Sequence, residues 1–220
     1  MSDVGSQSYA DRVYDWWSEH PRLFDAFLRG AFMGRYDELR RTAADRLAPD
    51  RDGPVMDLAC GAGPNFDLLA ERLSPGGTVV GLDHSPGMVR AARDRATERS
   101  DDVAIRVTRG DAASLPFPDD AFGAVLCTLS LSAIPDHVRA IAEARRVLRP
   151  GGRFVVFDAQ PYQSGPGRLL NPLINRVSAR ATNWYPGRHL PTDLRAAFGA
   201  DSVAVDLFNG GTAFLATATV

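Results

Sequence analysis

Apolar and polar positions change their period along this chain, and the change divides it. Between about residues 9 and 47, Tyr14, Trp17, Leu23, Phe24, Phe27, Leu28, Phe32, Tyr36 and Leu39 recur at roughly helical spacing, broken at His20-Pro21 and Gly34. This predicts two or three helices. After a polar turn at 49–54, short apolar runs alternate with amphipathic ones: strands at 55–59, 78–83, 104–109, 121–128 and 153–158, with helices over about 65–73, 85–99 and 135–148. Two last apolar runs, 202–208 and 213–219, straddle the hairpin signal Asn209-Gly210-Gly211. The alternation predicts an α/β fold, a mostly parallel sheet with helices on both faces and one strand turned antiparallel by the closing hairpin.

The chemistry concentrates at strand ends. Val55-Met56-Asp57-Leu58-Ala59 runs straight into Cys60-Gly61-Ala62-Gly63-Pro64 and then a helix. Glycines there let backbone approach a ligand closely, and a helix N-terminus offers free N–H groups. Asp83 ends the second strand, 26 positions after Asp57, where a carboxylate can accept from both hydroxyls of a ribose. Gly110-Asp111-Ala112 follows the third strand, where a carboxylate and the next N–H could read an adenine edge. Each is also explicable as an ordinary turn or cap. A dinucleotide oxidoreductase is disfavoured, because the third glycine of G-x-G-x-x-G is replaced by Phe66.

Composition narrows the classes further. A length of 220 residues suits one domain, and a net charge of −2 argues against a general nucleic-acid binder. All 25 basic residues are Arg, which excludes a Schiff-base lysine and a G-K-[ST] phosphate loop. Cys60 and Cys127 lack metal-ligand spacing, so no metal is expected. The first eleven residues lack a signal-type apolar core, and no apolar run approaches the ~20 residues that cross a bilayer. A cytoplasmic protein with reduced thiols is expected.

Four motifs in order, DLACGAG at 57–63, GLDHSPGMV at 81–89, GDAASLPFPDDAF at 110–122 and RVLRPGGR at 146–153, resemble those of the class I S-adenosylmethionine-dependent methyltransferases. The resemblance covers about 55–158 and implies a Rossmann-like seven-stranded sheet, last strand antiparallel, with S-adenosylmethionine as cofactor. It implies that Asp57, Ala59, Gly61 and Gly63 line the methionine end, and Asp83 holds the ribose. His84 and Met88 would then flank sugar or adenine, Asp111 and Ala112 read adenine, and Thr128 lies beside the methionine. Ala59 stands where many members have glycine, which alanine can replace if its φ is negative.

Within the family the chain looks most like small-molecule methyltransferases of ubiquinone/menaquinone and phospholipid type, from Val13-Tyr14-Asp15, the leading helices and LPFPDDAFGAV at 115–125. Where the quinone-type enzymes carry Arg-Asn, this chain has Ser132-Ala133. The Asn-Pro-Pro-Tyr-type motif of nucleic-acid methylation is missing after strand four, where Thr128-Leu129-Ser130-Leu131 stands. The expected activity is methyl transfer to a small lipophilic or amphiphilic acceptor by in-line displacement. The alternatives are a cyclase or rearrangement catalyst on the same scaffold, and a peripheral-membrane methyltransferase of lipid head groups.

Acceptor contacts are expected outside the shared core. Residues 1–48 are expected as a helical lid on a cofactor domain over 49–220, with 159–192 covering the acceptor. The acceptor-side candidates are Tyr14, Trp17, His20, Tyr162, Arg176 and Trp184; His20 and His189 are the candidate bases should the acceptor need to lose a proton. His84 is read as cofactor-side and His137 as a helix cap. Residues 159–192 hold four arginines (Arg168, Arg176, Arg180, Arg188) and no acid. Asn171-Pro172 predicts a helix start there, with Leu173, Ile174, Val177 and Ala181 as its apolar stripe. That pattern predicts a cationic cover for an anionic or amphiphilic acceptor.

Overall fold

The computed structural model describes residues 13, 16–48, 53–97, 102–182, 184–185 and 187–220. Tyr14 lies outside them. Two helices lead, α1 (Pro21–Ala31) and α2 (Tyr36–Leu47), with a helical stretch at 16–19 before them. Then follow β1 (Val55–Leu58), α3 (Phe66–Ala70), β2 (Thr78–Asp83), α4 (Pro86–Thr97), β3 (Ala104–Arg109), β4 (Phe122–Thr128), α5 (His137–Val147) and β5 (Leu148–Ala159). A 3-10 turn at Pro166–Leu170 leads into α6 (Asn171–Thr182), then α7 (Leu190–Phe198), β6 (Val203–Phe208) and β7 (Ala213–Thr219).

The seven strands form one sheet in the order β3-β2-β1-β4-β5-β7-β6. β7 runs antiparallel to both neighbours, and the other pairs are parallel, as the hairpin signal predicts. Central strands read as unbroken apolar runs because both faces are covered. Along β5, Phe154 and Val156 enter the core under α5 and α7, whereas Val155 and Phe157 enter the core under α2 and α3. The same two-residue alternation sends Cys127 to the first core and Cys60 to the second. The two thiols therefore end neighbouring strands on opposite faces.

The segment expected as one lid divides here. Leu39, Ala43, Ala44 and Leu47 of α2 are fully buried, and Leu39, Ala43 and Leu47 pack into the core with Val155, Phe157 and Leu215. Helix α2 is thus a wall of the core rather than part of a lid. Chain direction along the sheet reverses between β1 and β4. Ligands in such folds bind in the crevice outside the strand ends at that point.

Candidate active site

The loop leaving β1 floors this crevice. Ala59, Gly61 and Gly63 have φ of 54°, 55° and 76°. Alternating left-handed residues coil the backbone tightly, with Gly63 N donating to Cys60 O and Phe66 N to Gly63 O. The positive φ at Ala59 corrects the expectation of a negative one, and the cause lies in its neighbours. The Ala59 carbonyl accepts from Ser130 Oγ at 3.1 Å, and Cys60 N donates to Leu82 O at 3.0 Å. The 59–60 peptide is held from both sides, across β4 and β2. The two glycines serve different needs. A Cβ on Gly61 would meet nothing within 4 Å, whereas one on Gly63 would sit 2.3 Å from the Phe66 ring.

Asp83 braces this loop. Its Oδ2 accepts from Gly61 N at 2.8 Å and its Oδ1 from Ser85 N at 2.9 Å. Burial raises its proton affinity, opposed by those N–H donors. Ser85 Oγ in turn accepts from Met88 N, capping α4. Beside it, Asp111 closes its own turn by accepting from Ala113 N at 2.9 Å. Glu143 and Arg146 of α5 pin the following loop, through Leu115 N to Glu143 and Arg146 to the Leu115 and Phe117 carbonyls.

Beneath the loop lies a polar cluster that sequence reading did not foresee. Asn65 Nδ2 donates to Asp57 Oδ1 at 3.0 Å and to Thr128 Oγ1 at 2.9 Å, while Asn65 Oδ1 accepts from Arg40 Nε at 2.9 Å. Arg40, buried on α2, also donates to the Pro64 carbonyl. Desolvation pushes the fully buried Asp57 up to about 7, against the pull of Asn65 and Arg40. Asp57 and Gly63 therefore shape the floor from below rather than lining the crevice. Nothing in the spacing of Arg40, Asn65 and Asp57 along the chain announces their meeting.

Above the floor is a cavity of about 780 Å³. Ala59, Gly61, Asp83, His84, Met88, Asp111, Ala112 and Thr128 line one end, so the structure brings together most of the residues expected around the cofactor. The other end is aromatic and aliphatic, with Trp17, Phe24, Phe27, Phe32, Tyr162, Leu173, Ile174, Val177 and Trp184. Trp17 Nε1 donates to the Ala181 carbonyl at 2.7 Å, joining the segment before α1 to the end of α6. Trp17 is buried and Trp16 is left exposed, as their places on adjacent helix positions require.

Three residues expected on the acceptor side do not reach this cavity. The exposed His20 stacks on Trp16, with Nδ1 2.9 Å from the Trp16 carbonyl. His189 is exposed ahead of α7, where its carbonyl accepts from Thr192 N and Asp193 N. Arg176 is exposed and turned away, because α6 gives the cavity its apolar edge. Asn171 begins α6 without capping it: its amide pairs with the Tyr162 backbone, accepting from N at 2.9 Å and donating to O at 3.0 Å. Arg188 donates to the carbonyls of Leu131, Ser132, Ile134 and Pro135, so its charge is absorbed by structure.

A carboxyl that sequence reading passed over does line the cavity. Asp158, at the end of β5, accepts from Ser132 N at 2.9 Å, Ser132 Oγ at 2.8 Å and Ala159 N at 2.7 Å. Burial raises it to about 6, with those donors pulling the other way. Its signal was an acid ending an otherwise apolar strand, and Ser132 is one of the two residues that replace the Arg-Asn pair.

Comparison with known proteins agrees with this geometry. Residues 56–156 match a family model described as a methyltransferase domain. The demethylmenaquinone methyltransferase of Thermus thermophilus is 37% identical over 185 residues, covering 81% of this chain and 83% of the relative. The 2-phytyl-1,4-naphtoquinone methyltransferase of Synechococcus elongatus is 39% identical over 124 residues, which are 56% of this chain and 53% of the relative, so the match spans about half of that protein. Among solved structures, the [4+2]-cyclase SpnF aligns with a TM-score of 0.65 at 27% identity, over 80% of this chain and 61% of that one. The chain belongs to the class I S-adenosylmethionine-dependent methyltransferase family.

Proposed function

We propose that the chain methylates a lipophilic, ring-bearing acceptor of quinone type, held in the aromatic end of the cavity against cofactor held at the glycine end. One observation carries this: a single cavity runs from the glycine loop and Asp83 to a wall of aromatic and aliphatic side chains. The names of the two sequence relatives support the acceptor class.

The residues present fit S-adenosylmethionine. The open space over Gly61 admits a ligand against the backbone, where a side chain would intrude. Asp83, already oriented by two N–H donors, has lone pairs left for ribose hydroxyls. Met88 and Ala112 give an apolar slot for a base, and Asp111 is tied back by Ala113 N beside it. When bound, the cofactor supplies a methyl group on a sulfonium, already activated for displacement.

The protein's task is then alignment and exclusion of water. Trp17, Phe24 and Phe27 of the leading segment and Leu173, Ile174 and Val177 of α6 would close over an acceptor ring. A hydroquinone acceptor must also lose a proton. Our candidate to take it is Asp158, a cavity-lining carboxyl with a pKa near 6, held in orientation by Ser132.

The experiment is to supply methyl-labelled cofactor with detergent-solubilised naphthoquinols of differing tail length, and with polar amines and phenols as controls. The reading expects label and one added methyl in the naphthoquinol, together with S-adenosylhomocysteine. Methylation confined to the polar controls would overturn the acceptor class. Conversion of an acceptor without change of mass would favour a rearrangement catalyst instead.

A further inference from the structure

Helix α6 is amphipathic in sequence yet has no buried residue. Its inner edge, Leu173, Ile174 and Val177, borders the cavity. The 3-10 turn before it is apolar and bare on the outside: Leu169 is 85% exposed and Leu170 53%, and neither lines the cavity. Arg168 and Arg176 are exposed among them, with Arg180 one turn further on. Residues 159–192 contain no acid, while the whole chain is net negative. The indole of Trp16, 47% exposed, lies next to Trp17, which is bonded to the far end of α6.

We propose that this face, the 3-10 turn Pro166–Leu170 with helix α6, docks on an anionic lipid bilayer. Exposed leucines interleaved with cations of one sign match an interface in which apolar side chains enter the acyl boundary and arginines meet lipid phosphates. The charge selects the occupant. An anionic surface repels the rest of a net-negative protein and attracts this segment, so it also sets the orientation of docking. Because the same helix borders the cavity, docking turns the cavity mouth toward the membrane. If the acceptor is lipophilic, as proposed above, it then enters from the bilayer without crossing water.

The test is sedimentation of the full chain with vesicles of phosphatidylcholine alone or with one third phosphatidylglycerol. Binding to the anionic vesicles should be roughly ten-fold tighter or more, and should fall steeply between about 0.05 M and about 0.5 M salt. Leu169→Ser with Leu170→Ser, and separately Arg168→Glu with Arg176→Glu, should each weaken vesicle binding several-fold. Neither pair lines the cavity, so turnover of a detergent-solubilised acceptor should stay at the wild-type level. Vesicle binding without methylation of any naphthoquinol would leave the docking face standing and remove the acceptor reading. Equal binding to both vesicle types, or variants that bind like wild type, would overturn the docking proposal. Sedimentation as a dimer with no vesicle binding would reassign the face to a second copy of the chain.

Discussion

Replacing Ala59 by glycine should stabilise the protein, although it removes a half-buried side chain at the end of β1. Ala59 has a φ of 54°, a left-handed conformation in which an L side chain crowds the following carbonyl, at a cost of roughly 1–2 kcal/mol. Nothing local relieves it, since Ser130 Oγ holds the Ala59 carbonyl and Leu82 O holds the next amide. Glycine removes the crowding but frees the unfolded chain, which takes back about 0.4–1 kcal/mol. The net gain is about 0.5–1 kcal/mol, a rise in Tm of roughly 1–4 °C for a chain of this size. Ala62→Gly is the internal control. Ala62 lies in the same loop but is not among the residues with positive φ, so glycine there brings only the entropic loss and should lower Tm slightly. Thermal denaturation of both variants without cofactor decides the matter. If Ala59→Gly lowers Tm as much as Ala62→Gly does, the loop is not strained at residue 59.

Other consequences can be checked in parallel. Gly61→Ala should fold with a loss of about 1 kcal/mol yet bind cofactor poorly, whereas Gly63→Ala should fail to fold stably because its Cβ meets the Phe66 ring; equal stability of the two would contradict their separate roles. Asp83→Ala should weaken cofactor binding by roughly 2–4 kcal/mol, losing both the carboxylate and its brace on Gly61, and calorimetry giving wild-type affinity on folded variant would refute it. Asp57, raised to about 7 by burial, keeps its proton in the native state to higher pH than in the unfolded chain. Its contribution is therefore complete below the ordinary carboxylate range and is lost as pH rises toward 7, by up to about 4 kcal/mol. Asp57→Asn should accordingly gain on wild type between pH 4 and pH 8 in denaturant titrations; a constant difference across that range would sink the argument.

The sequence by itself determined the sheet and which strand-end residues gather along the cavity. Strand runs in buried parallel sheets are apolar and continuous, and hairpin and glycine signals are local, so β1 to β7, the antiparallel β7 and the loop at 59–64 could all be read from neighbours in the chain. Asp83, Asp111 and Thr128 were legible for a related reason: strand carboxyl ends share one edge of the sheet, so residues far apart in sequence meet there by topology alone. Only the tertiary structure decided what depends on side-chain direction. Whether Ala59 takes a positive φ rests on Ser130 and Leu82, which are distant in sequence. Whether α6 turns its apolar stripe or its arginines to the cavity depends on the helix's rotation about its own axis, which the pattern along the chain leaves open. His20 and His189 fell away and Asp158 came in for the same reason. A polar residue in a loop or at a strand end carries no mark of which way it faces, and burial, which sets its proton affinity, is a property of everything packed around it.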